Sequence, residues 1–484
     1  MSLAGAYSGD DVNALIFDPG SSTFRLGYSG DSFPKYYLPS VFGYLPNEEL
    51  EPRHGVSEGA NDCQQPFNHA PRLRQRCRGK SGEYIFDPNS ICIPREKVEM
   101  KPLLQDGMSK FAIPICCSLI GLFVTVYDWD MFETLLRYCF QFCFLNQHES
   151  KPIFFTEPVW NTREKREQLT ELMFETFDVP AFYLGKTAPL VAISHEQPTA
   201  LVVDCGSSGT SVVSVLDGIP LLKTLNRTPL GGDVLTESCH TLIRKYGGQV
   251  VPQYKVLRKV FFILRGARSV PRPFVPEVTQ SYSDYAVKLV VEDFKHAGLR
   301  LLERPFKKKI ASSPSKLRKF EYEFPNAMKT VFRTEHYKIP EVLFRPSYAE
   351  SLAKDLTLPS ITSVAMDSVN RSDVEIRPVL LKHLVLTGGC TLIPGFQRRF
   401  HHELVTSCAH LQWYPDISIK PSHDSASSFL TRIKVHHMPS FLESTTGAFV
   451  GASIVTSQGT FQQLWISKEE YEEYGKQYIR TTPF

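Results

Sequence analysis

The sequence predicts an α/β fold built from two related lobes that face each other. Residues 14–28 form an apolar run that ends in an acidic residue, turns through Gly and Ser, and returns as an alternating stretch, as a β-hairpin does. The same pattern recurs at residues 201–213, which indicates an internal duplication. Residues 384–396 read as a strand that runs into a Gly-Gly loop, and residues 162–177 carry the apolar spacing of an amphipathic helix. Strands that alternate with helices are typical of α/β proteins.

The length and the charge exclude several classes of protein. The 484 residues leave room for roughly two to four domains of ~100–200 residues each, and 42% apolar residues are typical of a folded chain. The 54 Lys and Arg oppose 51 Asp and Glu, so the formal charge is only +3. That balance is too even for a protein that binds nucleic acid mainly by neutralising phosphates. We therefore expect no sequence-specific nucleic-acid partner, and any basic surface must be local.

Neither a disulfide framework nor a membrane span is expected. The 11 Cys are scattered along the chain, and Cys139 and Cys143, which share a helical face, lack two further ligands for zinc. Packing in a core is the favoured interpretation for both. The longest apolar run, residues 111–126, is shorter than the ~20 residues that cross a bilayer. The N-terminus lacks the pattern of a secretory signal, so a cytosolic or nuclear chain is the default.

The two predicted hairpin turns carry the residue types that hold a phosphate chain. Backbone N–H groups and hydroxyls reach phosphate oxygens only where small residues form a tight turn. The two turns would clamp the phosphates from both sides through Gly20, Ser21, Ser22 and Thr23, and through Gly206, Ser207, Ser208, Gly209 and Thr210. Asp18 and Asp204, at the ends of the two leading strands, are the expected supports for Mg²⁺ through its water shell. One Gly-Ser hairpin is most often structural, but its duplication together with a Gly-Gly loop favours phosphate binding.

The three motifs, in their order and spacing, resemble the actin family within the larger superfamily of actin, sugar kinases and heat-shock proteins. Three further segments resemble that family: residues 27–35 after the first turn, residues 156–166 at a helix start, and residues 459–473 near the C-terminus. The Val-Trp-Asn form of the second segment and the opening residues 7–12 resemble a nuclear branch of the family. The resemblance implies an actin-like ATPase fold, with two ribonuclease-H-like lobes around a central cleft that holds ATP.

The resemblance also implies where the lobes begin and end. The first lobe is expected at residues 1–196, the second at 197–440, and a segment at 441–484 returns to the first lobe. Poor matching marks atypical inserts at 44–90 and 109–126 and a basic insert near 297–320. The apolar insert at 109–126 is either a partner-binding element or an unspliced stretch translated in the gene model, and the second interpretation is favoured. The altered segment at 44–90 argues against filament formation.

Position by position, the resemblance implies that ATP is bound but hydrolysed slowly or not at all. Thr187 stands where the family orients the attacking water with a Gln, and Ser207 and Ser211 replace an Asp of the metal shell and a His near the water. Phosphoryl transfer depends almost wholly on positioning and charge stabilisation, so catalysis is expected to be lost. Arg25 replaces a phosphate-contacting Lys and keeps its positive charge.

On the adenine side, the resemblance assigns contacts to the Gly-Gly loop. These are Gly388, Gly389, Cys390, Leu392 and Ile393, of which Ile393 replaces a Tyr and could pack on the adenine without stacking. A helix ending at 292–294 is expected to place Tyr285 and Ala286 where actin has charged residues. ATP, with or without Mg²⁺, is thus expected to act as a structural wedge between the lobes.

The resemblance implies a non-polymerising nuclear subunit of chromatin-remodelling and histone-acetyltransferase assemblies. Its expected partners are actin, a long helix of the remodelling motor ATPase, other subunits of those assemblies, and possible contacts with histones, with no membrane involved. Two alternatives stay open: a working ATPase of the superfamily, such as a sugar kinase, and a cytoskeletal actin-related protein. The basic stretch at 307–319 is either an import signal or a solvated loop, and the alternating Arg residues of 72–80 are more typical of an irregular loop than of a nucleic-acid-binding strand.

Overall fold

The computed structural model describes residues 13–47, 76–105, 125–126, 128–246, 248–262, 266–306, 317–348, 358–408 and 433–480. The strands in these ranges are β1 (Leu15–Pro19), β2 (Thr23–Tyr28), β3 (Tyr36–Pro39), β4 (Val41–Pro46), β5 (Cys77–Arg78), β6 (Gly82–Ile85), β7 (Glu99–Pro102), β8 (Leu104–Gln105), β9 (Thr125–Val126), β10 (Ile153–Glu157), β11 (Ala181–Lys186), β12 (Ala200–Cys205), β13 (Thr210–Leu216), β14 (Ile219–Pro220), β15 (Asn226–Thr228), β16 (Val256–Phe262), β17 (Gly266–Pro271), β18 (Phe320–Glu323), β19 (Lys329–Phe332), β20 (Leu384–Thr387), β21 (Val435–His437) and β22 (Ile466–Ser467). The helices are α1 (Pro88–Ile91), α2 (Trp129–Tyr138), α3 (Arg163–Glu171), α4 (Thr187–Ser194), α5 (Gly232–Lys245), α6 (Gln280–Gly298), α7 (Glu335–Lys338), α8 (Ile361–Arg371), α9 (Arg377–Lys382), α10 (Phe396–Cys408), α11 (Phe441–Thr456) and α12 (Lys468–Tyr474).

The first large sheet is built around the N-terminal hairpin. Its strands take the order β22-β11-β10-β1-β2-β3. β1, β10 and β11 run parallel, whereas β2 pairs antiparallel with β1. β1 is apolar on both faces and buried along most of its length, as a strand covered on both sides must be. Phe17 of β1 stacks on Phe155 of β10 with ring centroids 4.5 Å apart, which places the hairpin in the centre of a core.

The second large sheet repeats the central pairing of the first. Its strands take the order β14-β13-β12-β20-β21, and β15 pairs with β13. β12 pairs antiparallel with β13 and parallel with β20, just as β1 pairs with β2 and β10. The two predicted hairpins and their duplication are therefore confirmed. A second core, which includes Val203, Leu386 and Phe396, packs against this sheet.

Helices α4 and α11 connect the two sheets. Phe449 of α11 is buried in a cluster with Ile16 of the first sheet. Val191 of α4 is buried in a cluster with Val202 of the second sheet. Because α4 and α11 also pack against each other, the pair joins the two sheets at one place.

Small residues let α11 approach its neighbours closely. A Cβ atom added at Gly451 would lie 2.0 Å from the carbonyl oxygen of Leu190 in α4, so the two helix backbones touch there. Near the other end of α11, the carbonyl oxygen of Ser444 accepts a hydrogen bond of 2.9 Å from the N–H of Gly388. The start of α11 is thereby fixed to the Gly-Gly loop that follows β20.

Several further predictions can be compared with the described residues. The amphipathic helix predicted at 162–177 is confirmed as α3, which continues into a π-helical turn at Leu172–Thr176. Cys139 and Cys143 are both buried in the core of the first sheet, which confirms the packing interpretation. None of the described helices combines the length and apolarity needed to cross a bilayer.

Other predictions lie wholly or partly outside the described residues. These concern residues 7–12, Arg72 and Arg74, residues 109–124 of the apolar insert, and residues 307–316 of the basic insert. In the described end of the 72–80 stretch, Arg76 pairs with Glu83 at 3.2 Å and Lys80 pairs with Glu133 at 3.1 Å. Both cations thus have acidic partners within the chain.

Candidate functional site

The cavity between the two large sheets has a volume of about 610 Å³. It is lined by the turns of both duplicated hairpins, the loop after β20, and parts of α4, α6 and α11. The residues predicted from both turns, Asp18, Asp204, Arg25 and the predicted contacts of the Gly-Gly loop all lie on its wall, as do Thr187 and Ser211. The fold therefore brings together, around one cavity, residues that lie up to several hundred positions apart in the sequence.

The two hairpin turns face each other across this cavity with matching geometry. In the first, the N–H of Gly20 donates to the carbonyl oxygen of Thr23 at 3.0 Å. In the second, the N–H of Gly206 donates to the carbonyl oxygen of Gly209 at 2.9 Å. The hydroxyl oxygens of Ser21 and Ser208 lie 3.0 Å apart, so the turns meet at their tips.

The turn tips present unused donors to the cavity. The backbone N–H groups of Ser21, Ser22, Ser207 and Ser208 make no hydrogen bond to any described residue. Amide N–H groups gathered in a turn form an anion-binding concavity. Thr210 is another predicted phosphate contact. Its hydroxyl is already used within the protein, because it donates to the carbonyl oxygen of Leu230 at 2.7 Å.

The Gly-Gly loop closes the cavity beside the second turn. Gly388 has a φ of +93°, and a Cβ atom there would lie 2.4 Å from the carbonyl oxygen of Cys205, so only glycine fits. A Cβ atom at Gly389 would meet no protein atom within 4 Å. The thiol of Cys390 donates to the carbonyl oxygen of Gly206 at 3.3 Å, which ties this loop to the second turn.

Asp18 and Asp204 line the same cavity but differ in their partners. The Oδ2 atom of Asp18 accepts a hydrogen bond of 2.7 Å from Arg25, and its Oδ1 atom accepts one of 2.6 Å from the hydroxyl of Thr156. The carboxylate of Asp204 has no hydrogen-bond partner among the described residues. Burial raises the pKa of Asp204 to about 6, with the charge of Asp18 acting in the same direction and Arg25 opposing both. A partner from outside the chain would therefore stabilise the charged form of Asp204.

The donor set fits a triphosphate with a hydrated Mg²⁺ ion. An unpartnered carboxylate is the acceptor that waters on such an ion require, and the turn N–H groups are the donors that phosphate oxygens require. No cluster of three metal-ligating side chains occurs in the described part of the chain. A divalent ion would accordingly depend on water and phosphate for most of its coordination.

The sequence interpretation missed the contribution of α6. The expectation that Tyr285 and Ala286 stand on the adenine side is wrong, since neither lines the cavity and Tyr285 packs against the core of the first sheet. The helix continues to Gly298, and the residues that line the cavity are about two to three turns further along it: Glu292, Lys295 and His296, followed by Leu299 just after its end. Their i, i+3, i+4, i+7 spacing marks one helical face and could have indicated them.

The α6 side chains add charge and hydrogen-bonding groups to the cavity. The Nζ atom of Lys295 donates to the hydroxyl of Thr236 at 2.9 Å, which holds the ammonium group in place. Burial lowers the pKa of His296, and the charge of Lys295 acts in the same direction. This end of the cavity thus offers a cation beside a neutral imidazole.

A second missed feature is an aromatic contact across the cleft. The guanidinium of Arg227 in β15 lies over the ring of Trp160, 3.7 Å from its centroid. Trp160 follows a strand of the first sheet and Arg227 belongs to the second, and both line the cavity. Such cation–π contacts are worth ~0.5–2 kcal/mol, so this pair helps to hold the cleft closed.

Known proteins match this chain over nearly its whole length. A family model described as Actin matches residues 9–483. The chain is 29% identical over 481 residues to Actin-related protein 4 of Oryza sativa subsp. indica, which covers 98% of this chain and 99% of the relative. It is 28% identical over 484 residues to Actin-related protein 4 of Arabidopsis thaliana, with coverage of 98% and 99%. It is 29% identical over 481 residues to the SWI/SNF and RSC complexes subunit arp42 of Schizosaccharomyces pombe, with coverage of 96% and 97%.

Proposed function

The chain belongs to the actin family, and from this premise we propose that it is a non-polymerising structural subunit of nuclear chromatin-remodelling and histone-acetyltransferase complexes. In this proposal it binds ATP with Mg²⁺ and hydrolyses it slowly or not at all. The observation that carries the nucleotide part is the pair of matching turns, whose tips meet at Ser21 and Ser208 and present unused N–H groups to one cavity. The assembly part is supported by the likeness to a relative named as a SWI/SNF and RSC complexes subunit.

Each part of the cavity has a role in the proposed binding. The N–H groups of the two turns hold phosphate oxygens from both sides, and Arg25 balances charge beside Asp18. Bound Mg²⁺ offsets phosphate charge, with Asp204 as the carboxylate that accepts hydrogen bonds from its waters. Lys295 and His296 contact the sugar and base end, and Ile393 packs on the base. A ligand held by residues of both sheets braces one against the other.

Weak hydrolysis follows from what surrounds the proposed phosphate position. Thr187 is the first residue of α4 and Ser211 lies in β13, and both line the cavity. Neither hydroxyl reaches as far as a Gln amide or offers the basicity of an imidazole, so an attacking water is poorly oriented. Ser207 likewise supplies no carboxylate to the metal shell.

The nucleotide part is tested on the purified protein. Nucleotide released on denaturation is identified by chromatography, and phosphate release is followed over hours with added ATP and Mg²⁺. We expect bound ATP and negligible turnover, whereas the triple variant Thr187→Gln, Ser207→Asp, Ser211→His should release phosphate roughly tenfold faster or more. Rapid release by the unaltered protein, or a stable protein that never binds nucleotide, would contradict the proposal.

The assembly part is tested by tagging the chain in its own cells. Affinity purification followed by mass spectrometry should recover actin, a remodelling motor ATPase and further remodeller or acetyltransferase subunits, with histones as a possible addition. Imaging should place the tagged chain in the nucleus. A cortical or centrosomal signal with cytoskeletal partners would favour a cytoskeletal actin-related protein instead, and transfer of phosphate to a small molecule would favour a kinase.

A further inference from the structure

A strongly basic segment lies apart from the nucleotide cavity. We call it the basic ribbon and define it as residues 255–262 and 266–275, which contain the paired strands β16 and β17. These two ranges contain five basic residues and no acidic one: Lys255, Arg258, Lys259, Arg268 and Arg272. In a chain whose formal charge is only +3, this is a marked local concentration of positive charge. None of these residues lines the nucleotide cavity.

The strand register gives the ribbon an inner and an outer face. Arg258 pairs with Val270 and Arg268 pairs with Val260, so the two Arg side chains share a face. Lys259 lies on the opposite face and donates to Glu323 of β18 at 2.8 Å. The inner face is thus fixed to the rest of the protein through an ion pair.

The outer face carries cations without acidic partners. Arg258, Arg268 and Arg272 are exposed, and none of them forms an ion pair with a described residue. An acidic group from outside would be attracted to these three guanidinium groups, which have no acidic partner among the described residues. The ribbon is therefore complementary in charge to an acidic partner.

Large apolar side chains stand beside these cations. Phe274 is 89% exposed, Leu257 is 52% exposed and Val275 is 36% exposed. The N–H of Arg272 donates to the carbonyl oxygen of Lys255 at 2.9 Å, so the strand end that leads to Phe274 stays next to Lys255. Apolar side chains exposed together, rather than singly, are typical of a binding surface.

A groove continues from the base of the ribbon. It has a volume of about 540 Å³ and lies between α5 and α6. Lys255 belongs to both the ribbon and the groove, and Arg244 lines the groove further along. Among the described residues of its wall, Asp284 is the sole acidic one, and it already accepts a hydrogen bond of 2.8 Å from Gln280.

We propose that the basic ribbon and this groove bind an extended protein segment of another chain that is rich in acidic and apolar side chains. Acidic groups of that segment pair with Arg258, Arg268 and Arg272. Its apolar groups cover Phe274 and Leu257, which gains ~25 cal/mol for each Å² of apolar surface removed from water. A phosphate backbone would use the cations but leave the apolar side chains exposed, so the combination favours a protein over nucleic acid.

The test uses the full-length protein and fluorescence anisotropy with labelled peptides of about 16 residues. One probe alternates Glu with Leu and Phe, a second replaces Glu with Lys, and a third replaces the apolar residues with Ser. A labelled DNA duplex is the fourth probe. The variants are Arg258→Glu with Arg268→Glu, and Phe274→Ser. The matched control is Lys382→Glu with Arg398→Glu, which reverses the same amount of charge at exposed sites elsewhere.

The first peptide should bind more tightly than the other two peptides and the DNA. The charge reversal on the ribbon should weaken its binding roughly tenfold or more, and Phe274→Ser should weaken it severalfold, whereas the control changes it little. ATP binding should be unchanged in all variants, because the ribbon lies outside the nucleotide cavity. Absence of binding by the first peptide, or equal binding by ribbon and control variants, would overturn the proposal. DNA binding that exceeds peptide binding and ignores Phe274→Ser would overturn the choice of a protein partner.

Discussion

Single residues decide what the cavity can accept, and the two glycines after β20 illustrate this. Gly388 cannot change, because its φ of +93° and the carbonyl oxygen of Cys205 leave no room for a side chain. Gly389 has free space on the cavity side and a φ outside the left-handed region. A side chain at residue 389 therefore tests the ligand site without disturbing the fold.

We expect Gly389→Leu to weaken ATP binding at least about tenfold, which is ~1.4 kcal/mol, because the new side chain fills the cavity. The nucleotide-free variant should melt at the temperature of the unaltered protein. Isothermal titration calorimetry and thermal melting measure the two effects. Gly459→Leu is the matched control, since a Cβ atom there also meets nothing within 4 Å but residue 459 does not line the cavity.

Asp204 makes the stability of the nucleotide-free protein depend on pH. Its pKa is about 6 in the folded protein, above the ordinary value of 3.8, so the folded state binds the proton more tightly than the unfolded state. The contribution of Asp204 to the free energy of unfolding is fully present only below about pH 4. It falls by up to about 3 kcal/mol as the pH rises through 6. Asp204→Asn should therefore raise the melting temperature of the nucleotide-free protein at pH 7.5 but scarcely at pH 4.5. An equal effect at both pH values would contradict the assignment.

Among the secondary-structure elements, the crossing of α4 and α11 determines how the sheets are joined. The crossing depends on a glycine in α11 that faces the backbone of α4. Helical glycine is less favourable than alanine by ~0.5–1 kcal/mol, so its presence indicates a packing requirement. Gly447 and Gly451 lie one turn apart on the same helix and form a natural comparison.

We expect Gly451→Ala to destabilise the protein by about 1–3 kcal/mol, because its Cβ atom would lie 2.0 Å from the carbonyl oxygen of Leu190. Gly447→Ala should destabilise the protein much less, since the nearest atom to its Cβ is the hydroxyl oxygen of Ser194 at 3.3 Å, which a small shift can accommodate. Urea unfolding monitored by circular dichroism compares the two variants. Similar midpoints for both would show that α4 moves aside without cost.

In the whole molecule, the actin-like ATPase fold predicted from the sequence is confirmed by the family match over residues 9–483. The two sheets approach each other on the ligand side through small contacts, such as Ser21 with Ser208 and Trp160 with Arg227. Each of these two described contacts joins one pair of side chains, whereas each core joins many buried residues. A ligand bound by both sheets should therefore contribute substantially to stability.

We expect ATP with Mg²⁺, at about 100 times its dissociation constant, to stabilise the folded protein by ~2.7 kcal/mol. Differential scanning fluorimetry should show a rise in melting temperature, which EDTA together with a nucleotide-hydrolysing enzyme should reverse. Gly389→Leu at the same ligand concentration should show a much smaller rise. An unchanged melting temperature in the unaltered protein at this ligand concentration would contradict binding of ATP by the folded protein.

The sequence by itself determined the duplicated hairpins, their Gly-Ser turns, the Gly-Gly loop and the family, because these are local patterns that fix local backbone geometry. It placed Asp18, Asp204, Arg25 and Thr187 as candidates, and all of them line one cavity. Only the tertiary structure decided that α6 contributes Lys295 and His296, that Arg227 covers Trp160, and that the pKa of Asp204 is raised. These features depend on distances between segments far apart in the chain and on exclusion of water, which local pattern does not specify.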